Sequence, residues 1–292
     1  PLIGTKEMSL LNPFTAAKED TKVSNELKDF LTDFSIEVMP RTSAKIESFT
    51  EILPKNTRVY IAHIEGVPIE EMVQTAKRIS SEGFAVMPHF PARIIKNKNI
   101  LEQWIKMYQD EAGIDQALLL AGGVVSPHGD FKDSMQLVET ELFEKYNFKN
   151  LHFAGHPEGN KDIDYDGSTK NIDEALIWKQ SYSERSDIDL AITTQFCFEA
   201  DPVIQWANSL IENGINIPIH IGVAGPAKLQ TLIKFSIACG VGPSLRVLQK
   251  RAKDIKKLLL PFEPNDFLET LAQRKKTNPS FNISNIHFFP LG

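Results

Sequence analysis

The stretch FSIEVMPRT at 34–42 places a glutamate inside an apolar, strand-like run. An isolated ionised carboxylate is costly to bury. Glu37 therefore either pairs structurally, with Arg41 as the nearby cation, or works at the mouth of a site. Other polar residues close apolar runs in the same way. His63 and Glu65 do so in AHIEG, His89 in MPHFPAR, His156 and Glu158 in AGHPEGN, and Gln195 in AITTQ. Gly122 and Gly123 follow LLLA, Gly222 follows IPIHI, and His287 and Phe289 lie in SNIHFFPL. One carboxyl group with several imidazoles and an amide suits proton management on an organic substrate or cofactor. Metal chemistry has less support, because Ser35 and Glu37 stand where a metal-hydrolase barrel carries its H-x-H pair. Each residue also has a plain structural reading: a bonded strand-end histidine, or a Gly-Gly tight turn. The functional reading depends on whether the fold brings these run ends together.

The elements that must position them are legible. Short β-rich runs are predicted at 34–38, 57–64, 84–89, 116–121, 150–155, 188–194, 217–223 and 284–291. Helical patterns lie between them at 68–83, 99–113, 201–214 and 226–240, with Pro at three starts and Gly at every stop. Strands that read as continuous apolar runs, alternating with helices, indicate a parallel sheet covered by helices. Eight such units in 292 residues predict a single (β/α)8 TIM-type barrel domain. Residues 1–32 are expected to form an N-terminal helical extension, and 243–280 to hold extra helices before the last strand. No G-x-G-x-x-G follows a strand and no Walker motif is present, which counts against an open nucleotide-binding sheet. In such a barrel the chemistry sits at the C-terminal strand ends. Period-two alternation then points Ser35 and Glu37 inward.

A net charge of −6 gives no argument for nucleic acid, and LQKRAKDIKK at 248–257 reads as a solvated helix face. Cys197 and Cys239 lie in apolar surroundings without metal or C-x-x-C spacing, as free thiols of a reducing compartment would. No signal peptide pattern and no membrane-length apolar run is visible, so a cytoplasmic protein without a membrane partner is expected. A homo-oligomer stays open.

Taken together, FSIEVMPRT, MPHF, LLLAGG, AGHPEGN, AITTQFCFEAD, IPIHIGV and IHFFPLG resemble, in order and spacing from about residue 34 onward, the motifs of the methylenetetrahydrofolate reductase family. The resemblance implies a barrel with FAD at its mouth. It implies hydride transfer from NAD(P)H by way of flavin, interconverting 5,10-methylenetetrahydrofolate and 5-methyltetrahydrofolate. Glu37 matches the family's acid, and Gln195 its pterin ligand, with Phe289 on the substrate side. His89 and His156 match cofactor contacts, and His63, Gly122 and Gly123 fall near them. Lys179 and Arg185 lie in the helix where the family carries basic residues for the FAD pyrophosphate. The chain departs from the family at Gly123, where the family has an Asp beside the flavin. That departure leaves a second reading: a folate-binding or methyl-transfer relative without redox activity.

Overall fold

The computed structural model describes residues 23–253 and 260–291. Eight parallel strands close on themselves in sequence order: β1 (Ser35–Val38), β2 (Arg58–Ile61), β3 (Ala85–Pro91), β4 (Gln116–Leu120), β5 (Asn150–Gly155), β6 (Asp189–Phe196), β7 (Ile219–Ala224) and β8 (Ile283–Phe289). The protein is a (β/α)8 barrel. Every predicted strand is present, with ends shifted by a few residues. Gly222 lies within β7 rather than after it.

The long helices are α3 (Ile69–Ser81) and α4 (Lys98–Ala112), preceded by the short α1 (Asn25–Phe30) and α2 (Pro40–Ser43). Two short helices, α5 (Ser134–Val138) and α6 (Leu142–Lys145), lie between β4 and β5, where no helix is predicted. Then come α7 (Lys170–Arg185), α8 (Ala200–Glu212), α9 (Leu229–Ala238), α10 (Gly242–Ala252) and α11 (Asn265–Thr277). The predicted N-terminal extension is represented by α1, which packs on α11; residues 1–22 of it lie outside the described residues. Residues 254–259 of the extra-helix prediction lie outside them too.

Helix ends follow local chemistry. Asn97 caps α4 by accepting from the Ile100 amide at 3.0 Å, and Gly113 ends it in the left-handed conformation at φ 63°. The expected Asp201 cap lies one residue inside α8, whose cap position is Glu199. On α3, Met72, Val73, Ala76 and Ile79 recur at helical spacing and are buried against the sheet. Burying each larger side chain of this kind is worth roughly 1.5–3 kcal/mol. This apolar shell lies between strands and helices, which leaves the barrel interior free for polar residues.

Candidate functional site

Alternation along β1 sends Val38 into the apolar shell and Ser35 into the barrel, as expected. Glu37 Oε1 lies 2.9 Å from His89 Nε2 on β3 and 3.8 Å from His287 Nε2 on β8. Its partners are thus imidazoles, while Arg41 is exposed to solvent. Ser35 Oγ is 2.8 Å from His287 Nδ1. With the serine donating, the network assigns the ring proton of His287 to Nε2, facing Glu37. Burial pushes the Glu37 carboxyl up, but the charge of His89 and hydrogen bonds from both histidines outweigh it and hold the group at about 2. Burial lowers His287, against the pull of Glu37.

Beneath this pair the interior stays polar. The Tyr60 hydroxyl meets His152 Nδ1 and, at 3.0 Å, Thr193 Oγ1. The Tyr60 ring lies 4.3 Å from that of His287, and His152 meets His220 edge-on at 4.7 Å. Burial pushes the Tyr60 hydroxyl up and His152 well down. Burial, then the charge of Arg58, takes His220 to about 3. These are neutral groups stacked below a charged one.

Two cavities open at the strand C-termini. The first, about 450 Å³ and mostly apolar, is lined by Glu37, His89, Gln195, Phe196, Phe235 and Phe289. Gln195 reaches it because β6 shifts register between Thr193 and Phe196. Gly222 makes that possible: a Cβ there would lie 2.4 Å from the Thr194 carbonyl oxygen and 2.6 Å from that of Gln195. The second cavity, about 470 Å³, shares Leu120 and Ala154 with the first and is lined by His156, Lys179, Arg93 and Trp178. Lys179 is buried on α7, its Nζ 5.2 Å from the Phe153 ring centroid. Burial takes its ammonium down to about 8, against the more distant charge of Asp133. Burial and the charge of Lys179 take His156 to about 4.

The structure thus brings Glu37, His89, Gln195 and Phe289 to one cavity, and His156 and Lys179 to its neighbour. Of the residues that the resemblance assigns to the site, three line neither. His63 turns toward the helices, with Nε2 2.8 Å from the Val67 carbonyl oxygen and its ring 5.0 Å from that of Trp104; its neighbours Ala62 and Ile64 face the cavity instead. Gly122 serves a turn at φ 98°, and Gly123 is exposed. Glu65 pairs with His128 on the surface at 2.9 Å. The sequence motifs do not mark Tyr60, His152, Thr193 and His220, although two-residue alternation of the β1 kind places Tyr60 in RVYI and His152 in NLHFAG on the inward face. Among the described residues no group of three or more His, Cys, Asp or Glu could hold a metal ion, and no helix is long and apolar enough to cross a membrane.

No family model matches the sequence. Among solved structures the chain is similar to the carboxyl transferase domain of Rhizobium etli pyruvate carboxylase with oxalate, at TM-score 0.40 and 8% identity, over 96% of this chain and 55% of that one. It thus spans about half the length of that domain's chain. A second similarity is to an actinorhodin polyketide ketoreductase with NADPH, at TM-score 0.27 and 14% identity, over 74% of this chain and 90% of that one. Neither likeness carries an argument about chemistry. The closed order of eight parallel strands itself shows the fold.

Proposed function

We propose that the protein is an oxidoreductase of the methylenetetrahydrofolate reductase type, using FAD and NAD(P)H on a reduced folate. The observation that supports this most is Glu37, held as a carboxylate by His89 and His287 at the floor of an apolar cavity with Gln195 on its wall. The residues present fit a diphosphate-bearing flavin. Lys179 is a buried ammonium with no hydrogen bond or ion pair among the described residues, and it lines a cavity continuous in its walls with that of Glu37. Lys179 and His156 would hold the diphosphate. When bound, the flavin supplies the acceptance and release of a hydride.

The chain's own residues do the rest. The Gln195 amide offers a donor and an acceptor to the edge of a fused pterin ring. Phe289 and Phe196, 5.7 Å apart, give that ring aromatic walls. The Glu37 carboxylate stabilises positive charge that develops as the methylene bridge opens. Because Glu37 is held at about 2, it is ionised before substrate arrives. The proton delivered to the pterin nitrogen comes from solvent and passes by way of Glu37 Oε1, which lies 2.9 Å from His89 Nε2.

The test is to purify the protein, record a flavin absorption spectrum, and follow methyltetrahydrofolate oxidation with an artificial electron acceptor. A flavin spectrum with folate-dependent turnover is expected. Pterin binding without any flavin, even after reconstitution with FAD, would instead favour the non-redox relative, a reading supported by Gly123 in place of the family's Asp.

A further inference from the structure

The opposite, N-terminal face of the barrel holds a third cavity of about 570 Å³, lined by Arg58, Lys55, Asn56, Thr57, Asn285 and the acidic Asp33 among others. Arg58 opens β2, and its Nε donates to Gln116 Oε1 on β4 at 2.8 Å. Strands β2 and β4 are not neighbours, because β3 lies between them. Arg58 shares its face of β2 with the inward-pointing Tyr60, so the two side chains meet across the barrel interior and the guanidinium sits inside the barrel's lower end. Its charge is felt there by Tyr60, His152 and His220.

Arg58 is partly buried, yet among the described residues no carboxylate lies within 4.0 Å of it, and Gln116 is its one hydrogen-bond partner. A fully buried arginine is ordinarily paired; this partly buried one keeps the rest of its fork open to the cavity. Its planar fork of donors matches the paired oxygens of a carboxylate or phosphate. The loops on either side add polar groups. Asn285 Nδ2 donates to the Asp33 carbonyl at 3.2 Å across the cavity rim, and Lys55 adds a second, exposed cation. Asp33 and Asn56 hold left-handed backbone at φ 61° and 62° where these loops turn. Such conformations persist where surrounding structure fixes them.

From this geometry we infer a second binding site, at the N-terminal end of the barrel, that takes a small phosphate or carboxylate oxyanion on the Arg58 guanidinium. The site is separate from both mouth cavities and does not depend on the folate reading. Its occupant would give the Arg58 guanidinium a counter-charge at the end of the barrel away from Glu37, below the Tyr60–His152 contact.

Because Lys179 also offers an unpaired cation, the experiment uses the Lys179→Met protein. It is titrated with inorganic phosphate, and separately with malonate, by calorimetry at constant ionic strength. Saturable one-to-one binding is expected, weakened at least tenfold by adding Arg58→Gln and less by Arg58→Lys, which keeps the charge but not the fork. Whichever anion binds tighter identifies the source as phosphate or carboxylate. Absence of saturable binding of either, or binding unchanged by Arg58→Gln, would overturn the proposal. If Arg58→Gln does not fold, Lys55→Glu at the exposed rim must weaken binding tenfold, and unchanged affinity there would overturn it equally.

Discussion

Glu37 and Lys179 are both ionisable groups in the walls of adjoining cavities, and the fold treats them in opposite ways. Glu37 has its counter-groups built in: His89 at 2.9 Å and His287 at 3.8 Å hold it charged, against burial, at about 2. Lys179 has none at contact distance, and burial takes it to about 8. The first site is electrostatically complete without a ligand. The second is incomplete, and an anion would complete it. A group that must act on a substrate gains from being fixed in advance. A group that must recognise a charge gains from having no internal competitor.

The comparison breaks most severely at Glu37. Glu37→Gln should keep its fold by circular dichroism and lose folate turnover by roughly 10²–10⁴-fold, the usual contribution of a positioned acid–base group. Any nicotinamide–flavin half-reaction should persist. If both reactions fall together, Glu37 only braces the barrel. The same variant has a pH signature. The folded carboxyl is depressed from 4.5 to about 2, so its stabilising contribution is complete above pH 4.5 and is lost as pH falls toward 2. Wild type should lose its stability advantage over Glu37→Gln across that window in acid-unfolding curves.

Lys179 gives the next largest effect, with opposite sign for stability. The unfolded chain keeps this proton up to about 10.5 and the folded chain only to about 8, so folding is penalised at neutral pH and the penalty fades as pH rises between those values. Lys179→Met should therefore raise stability at pH 7, by up to about 3 kcal/mol, and flatten the rise in stability from pH 8 to 10.5. It should weaken FAD binding on the order of tenfold or more, since a hydrogen bond to a charged group is worth about 1.5–3 kcal/mol. A variant that binds flavin as well as wild type would mean that the second cavity does not receive the diphosphate.

Gln195→Ala sharpens the first site. It should weaken pterin binding about tenfold, near the value of one hydrogen bond, with little change in melting temperature, because Gln195 is only partly buried at a strand bulge. Stability loss with unchanged folate affinity would reassign the amide to the bulge itself. The smallest contrast lies in the paired glycines. Gly122→Ala should destabilise by about 1 kcal/mol or more, because its φ is 98° and a Cβ would lie 3.1 Å from that of Pro91. Gly123→Asp should stay within about 0.5 kcal/mol of wild type, since nothing lies within 4 Å of a Cβ there. A large effect at Gly123 on flavin binding or potential would show that a ligand comes closer to it than the cavity walls do.

The sequence by itself determined the barrel. Apolar runs of strand length, alternating with capped helical patterns, favour burying eight strands in a closed barrel, and that closure gathers Glu37, His89 and Phe289, while Gln195 joins them through the β6 register shift. Alternation also chose the face for Ser35 and Glu37. What it left undecided depends on distance across the barrel. His63 and His89 look alike in sequence, each ending an apolar run, but one more residue of strand or loop turns His63 onto Trp104 and leaves His89 on Glu37. Whether Glu37 pairs with Arg41 or with histidines 52 and 250 residues away is likewise set by strand closure, not by proximity along the chain. Charge state follows the same rule. Glu37 and Lys179 are ordinary ionisable residues in the sequence, and only the tertiary structure decided that one would be partly buried with partners and the other buried without.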